Sequence, residues 1–158
     1  MTIALLEWLA ATPLAVALRR SALLYMFVNA SHILSIGLLI GAILPLDLKL
    51  MGFFPSVPLS VVGPFLSRAA AIGLAAAIVT GFCLFSVRPM EYAGNPAFLA
   101  KIGLLVLGVL NAGIAHAGYA WRKSIAGAVT AARLRVGALF SAMIWLAAVV
   151  AGRWIGFI

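Results

Sequence analysis

Residues 21–46 read SALLYMFVNASHILSIGLLIGAILPL, and this stretch decides the fold. No charged side chain interrupts it from Ala22 to Leu46, and crossing a bilayer takes about 20 consecutive apolar residues. In hydrocarbon every backbone N–H and C=O must be satisfied within the chain, so a single apolar run of this length forms a helix. Three later stretches have the same character. They run from about Phe65 to Val87, Ala97 to Trp121 and Ala131 to Ile155. Charges or prolines end each one: Pro45-Leu46-Asp47-Leu48-Lys49, Arg88-Pro89, Arg122-Lys123 and Arg153-Trp154. Pro55, Pro58 and Pro64 predict a loop leading into the second span.

The fold class expected is all-α: a transmembrane four-helix antiparallel bundle, with spans at about 21–46, 65–87, 97–121 and 131–155 inside a membrane domain over 21–158. Residues 1–20 are apolar but carry Glu7, Trp8, Thr12 and Pro13 and end at Arg19-Arg20. That pattern predicts an amphipathic helix lying in the interface, with Trp8 at headgroup level. The start lacks the basic region of a signal peptide, so the segment is expected to be retained.

Composition excludes several classes. Of 158 residues, 66% are hydrophobic and 9% charged, more apolar surface than a soluble domain of this size can bury. The net charge of +8 does not imply nucleic acid, because the lysines and arginines mark span ends instead of forming basic, aromatic-studded runs. They suit lipid headgroups. Cys83 is the single cysteine, which excludes an intrachain disulfide and a thiolate metal cluster. The acidic residues, Glu7, Asp47 and Glu91, all fall at span edges by this reading. No intramembrane carboxylate is then expected to relay protons or bind Na⁺, and Asp47 with Lys49 reads as a structural pair. No phosphate loop and no nucleophile with an adjacent base is present.

Small residues at four-residue spacing supply expected helix-packing surfaces: Gly37 and Gly41, then Gly73, Ala77 and Gly81, then Gly108 and Ala112, then Ala138 and Ala142.

The two histidines, His32 and His116, lie within the first and third spans. An ionisable side chain at such a place is costly and points to function. His32 belongs to a stripe with Tyr25, Asn29 and Ser35, spaced four, three and three, along one helical face. That face should meet the bundle or a wet cavity. Asn111 and His116 are five residues apart and do not share a face. The first and third spans run in the same direction, and their midpoints leave the histidines about 10 Å apart in height. Asn111 is the residue expected opposite His32. Arg68 and Lys101 lie about one turn inside their spans.

The pattern Tyr25-x3-Asn29-x2-His32, then Gly41 and Leu46-Asp47-Leu48-Lys49-Leu50-Met51-Gly52, resembles a family of small bacterial four-span membrane proteins of unknown function. Thr80-Gly81, Lys101, Asn111, His116 and Gly152-Arg153-Trp154-Ile155 extend the likeness over nearly the whole chain from Leu9. More loosely, four spans with intramembrane histidines are similar to cytochrome b561-like and copper-resistance-D-like membrane proteins. The resemblance implies a multi-pass protein of the bacterial inner membrane. The densest basic cluster, Arg122, Lys123, Arg133 and Arg135, assigns that side to the cytoplasm and both termini to the periplasm.

The leading expectation is a haem-b-binding membrane subunit that passes electrons between quinone and a partner protein, rather than a stand-alone enzyme. His32 and His116 would be the axial ligands. Tyr25, Asn29 and Asn111 would orient them, and Arg68 or Arg122 would meet the propionates. Two alternatives come from other classes: a membrane anchor or scaffold subunit of a larger complex or homo-oligomer, and a small-molecule or metal-ion carrier with a cavity along the Tyr25–Ser35 stripe.

Overall fold

A computed structural model describes residues 2–127 and 129–157. Among them the chain is helical throughout, with no strand. Two short helices come first, α1 (Thr2–Ala10) and α2 (Pro13–Arg20). Thr12 separates them. Its hydroxyl oxygen accepts from the Ala15 N–H, and Pro13 takes the first helical position, where a missing N–H costs nothing. Arg19 then ties the segment down by donating to the carbonyls of Val87 and Ala10.

The long helices are α3 (Ala22–Met51), α4 (Leu59–Val87), α6 (Pro96–Ala117) and α8 (Ala132–Trp154). All are long and apolar enough to cross a membrane, and the protein is a multi-pass membrane protein. Short helices α5 (Pro89–Ala93) and α7 (Tyr119–Ile125) lie in the connections, and a 3₁₀ turn over Ile155–Phe157 follows α8. Local chemistry sets the ends. Ser21 caps α3, and Gly52 stops it at φ 107°, a left-handed conformation that suits glycine. Asn95 Oδ1 accepts from the Ala97 and Phe98 N–H groups at the start of α6, while its amide donates to Ile155 O.

The prolines behave differently from the expectation. Pro45 lies inside α3 and Pro64 inside α4, so the first helix runs on to Met51 and the second begins at Leu59. Each proline removes one backbone donor, but the packed neighbours hold the helix on both sides of it. In the third span the reverse happens. Gly118 takes an extended ψ of 145° and divides that stretch into α6 and α7.

Contacts between side chains set the order in space. α3 packs against both α4 and α8, and α8 packs against α6. All of these neighbours are antiparallel: His32 meets Thr80, Asp47 meets Ser141 and Asn111 meets Gly137. α4 and α6 touch through side chains near their ends. Phe85 stacks on Phe98 at 5.2 Å, and Ser67 bonds His116 at the opposite end. The core gathers Leu39, Ala42, Ile43, Ala70 and Trp145, with a second cluster around Leu46, Leu50, Leu59, Trp121 and Ala138.

Only some small residues make close contacts. A Cβ on Gly73 would lie 2.6 Å from Leu39 N and 3.0 Å from Ser35 O, so α3 and α4 touch backbone to backbone there. Gly108 accommodates the Trp145 ring, and Gly81 the His32 ring. Gly37 and Gly41 face open space, so that pair does not form the packing surface its spacing predicts.

Candidate functional site

The stripe on α3 splits along its length. Ser35 is buried and returns its hydroxyl proton to Ser31 O at 2.7 Å. His32 is half-buried against α4, where Nδ1 lies 2.9 Å from Thr80 Oγ1. The Thr80 hydroxyl donates to Ala76 O at 2.7 Å. Its proton is therefore used, and the hydrogen-bond network assigns the neutral ring an Nδ1–H that donates to Thr80. Nε2 then carries the lone pair. The Ala77 carbonyl also lies beside the ring. Asn29 is exposed and has no hydrogen-bond partner among the described residues. Tyr25 reaches the Tyr92 phenol of α5.

His116 is held on both nitrogens. Nδ1–H donates to Ala112 O at 2.8 Å, and Nε2 accepts from the Ser67 hydroxyl at 3.0 Å. Its ring leans on Trp121, with centroids 4.3 Å apart. Both partners are in place, so no lone pair is left to ligate a metal.

The histidines thus meet α4 at two places, Thr80 and Ser67. These are thirteen residues apart on one helix, a rise of about 20 Å. One iron bound by two imidazoles needs the ring nitrogens within about 4 Å, twice a metal–nitrogen bond of about 2 Å. His32 and His116 therefore do not form one axial pair, and the expected 10 Å offset doubles. The reason is register, because packing against α4 sets the height of each ring. Nor does Asn111 stand opposite His32. It donates to Gly137 O on α8 at 3.0 Å, nearer the His116 end. Arg68 and Arg122 are exposed. Lys101 is half-buried against Gly152, makes no hydrogen bond or ion pair among the described residues, and places its charge within reach of the His32 ring. No group of three or more His, Cys, Asp or Glu converges among the described residues.

The residue that the sequence reading placed wrongly is Asp47. It is only 4% exposed and turns into the interface of α3 with α8, where it bonds Ser141. Its Oδ2 has no hydrogen-bond partner among the described residues. Lys49, two residues on, points elsewhere and donates to Phe54 O at 2.8 Å. The expected Asp47–Lys49 pair is absent because residues two apart on a helix face different ways. The sequence did hold a signal. Leu39, Ile43 and Asp47 recur every four residues, so Asp47 continues the buried face of α3 once Pro45 is allowed inside the helix.

Asp47 lines a cavity of about 30 Å³ together with Asn111, His116, Trp121 and Ser141. A second cavity, of about 40 Å³, adjoins it; Asn111, Ala115, Leu134 and Gly137 line both, and Arg133 lines only the second. One water needs roughly 10–15 Å³, so each space can hold water. The first cavity lies between α3, α6, α7 and α8 and the second between α6, α7 and α8, not along the Tyr25–Ser35 stripe.

Residues 5–158 match a family described as a family of unknown function, DUF6644, and the chain belongs to it. Comparison with curated proteins and with solved structures finds no match.

Proposed function

Membership of a family without an assigned activity leaves the reading to the residues, and we propose that this protein is a membrane carrier for a small solute or ion. The observation that carries the reading is the distribution of polar groups inside the bundle. They do not converge on one centre. His32 with Thr80 sits at one level, and Asp47, Asn111 and Ser141 border water-sized cavities towards the other end. Polar side chains inside a membrane bundle are costly and mark solute pathways or relays. A scaffold needs no cavity and no unpartnered carboxylate.

The test is reconstitution into liposomes. Stopped-flow light scattering under gradients of potassium chloride, sodium acetate and glycerol, with pyranine inside to report protons, measures permeation. Permeation above that of empty liposomes for one of these is expected. None for any of them would leave the scaffold reading in its place.

One observation favours a second reading, a haem-b-binding subunit that passes electrons between quinone and a partner. A metal-ligating histidine characteristically donates its other N–H to a fixed acceptor, and His32 does so to Thr80. His32 Nε2 would then be the ligand, without His116. A reduced-minus-oxidised spectrum with a b-type band that disappears in His32→Ala and persists in His116→Ala would replace the carrier reading.

A further inference from the structure

Asp47 poses a physical problem that the packing does not solve. An isolated carboxylate removed from water costs several kcal/mol or more unless it is paired or hydrogen-bonded. Ser141 serves one side of this group, and Oδ2 faces no donor. No cation meets it. On its own helix Lys49 is committed to Phe54 O. From α6, His116 lines the same cavity with both ring nitrogens engaged. From α7, Trp121 is uncharged and Arg122 and Lys123 are exposed. From α8, Arg133 lines only the second cavity, and both Arg133 and Arg135 are exposed. From α4, Arg68 is exposed.

We infer that Asp47 Oδ2 is a reversible proton-binding site inside the bundle, reached through the water-sized cavity past Arg133 and Asn111. The inference rests on the carrier reading and names what is carried. The site's chemistry selects the proton over a metal cation. A hard cation asks for six or more oxygen ligands. Here the side-chain oxygens are those of Asp47, Ser141 and Asn111, and the remaining lining is mostly aliphatic, with the Trp121 ring and the His116 ring, whose nitrogens are both engaged. A proton needs one acceptor oxygen and converts the carboxylate to a neutral acid that an apolar wall tolerates. The path is continuous in its lining, because Asn111 and Gly137 border both cavities and the Asn111 amide is held on Gly137 O. Asn111 Oδ1 is then free to accept from a water between the two spaces. Arg133 lines the second of the two cavities.

Dicyclohexylcarbodiimide tests the site without any transport measurement, because it adds to a protonated carboxyl in an apolar, water-poor setting. The detergent-purified protein is treated with the reagent, and the adduct is mapped by mass spectrometry. Modification at Asp47 is expected, with a yield that falls as pH is raised, is unchanged by sodium or lithium chloride, and is lost in Asp47→Asn. The mapping is made on the wild-type chain, so it stands even where Asp47→Asn does not fold, and Asp47→Glu should keep the reaction. No adduct at Asp47 at any pH would overturn the proposal. Protection by sodium or lithium would overturn it in favour of an alkali-metal site. Labelling without permeation in liposomes removes the carrier reading and leaves the proton site; permeation without labelling does the reverse.

Discussion

His116 Nε2 accepts the Ser67 hydroxyl proton across 3.0 Å, and this bond is where α6 meets α4 at the Trp121 end of the bundle. The pair acts as a tie between two helices that otherwise touch little. Interhelical hydrogen bonds in membranes are worth about 0.6 kcal/mol on average. A double-mutant cycle of Ser67→Ala and His116→Ala should return a coupling of about that size in reversible unfolding from bilayers or mixed micelles. A coupling of zero would mean that the bond does not form.

Thr80 holds the His32 ring and fixes which nitrogen bears the proton. Thr80→Val keeps the shape and removes the acceptor. The expected loss is again about 0.6 kcal/mol of stability. The imidazole should also change tautomer balance, read from its ¹⁵N chemical shifts. Unaltered shifts in the variant would contradict the assignment of Nδ1–H to Thr80.

Gly73 sits where α3 and α4 come closest, and the atoms a methyl group would meet are backbone. They cannot rotate away, so Gly73→Ala must push the helices apart. Overpacking of this kind costs about 1–3 kcal/mol. Gly37→Ala and Gly103→Ala, where a Cβ meets nothing within 4 Å, should unfold at the wild-type temperature in detergent. Equal melting temperatures for all three variants would refute the close contact.

Asp47→Leu should stabilise the protein. It removes a buried carboxyl oxygen with no partner, a defect worth about 1–3 kcal/mol, and adds apolar contacts beside Leu46 and Leu50. Thermal unfolding in detergent measures it. Lower stability in this variant would show that Asp47 Oδ2, too, is satisfied by a partner in the folded bundle.

Tyr92, in α5 outside the spans, has its phenol held above the usual range, first by burial and then by Tyr25 beside it. The folded state therefore keeps the Tyr92 proton at pH values where the unfolded chain, with a pKa near 10, has lost it. Fewer protons on the unfolded state mean that stability falls as pH rises beyond about 10. Tyr92→Phe should flatten that alkaline decline in a series of melting curves. An unchanged slope would assign the decline to another group.

Much of the architecture could be read locally. Uninterrupted apolar length gave the four crossing helices, because lipid leaves a single segment no other way to satisfy its backbone. The prolines misled because they usually end a helix, whereas Pro45 and Pro64 are carried by packing on either side. That one misplacement moved Asp47 from the core to a supposed edge, and hid the residue on which the proton site rests.

The sequence by itself determined that this chain lives in a membrane as an all-helical bundle, and that two histidines lie within its spans. Hydropathy and length are properties of single segments and survive without knowledge of neighbours. Tertiary structure decided what those residues face. His32 and His116 take Thr80 and Ser67, about 20 Å apart along α4, because the register between helices is set by close contacts such as Gly73 on Leu39. Asp47 lies in the core because helix phase and the α3–α8 interface turn it inward. Register and phase arise only when helices pack, so no single segment could disclose them.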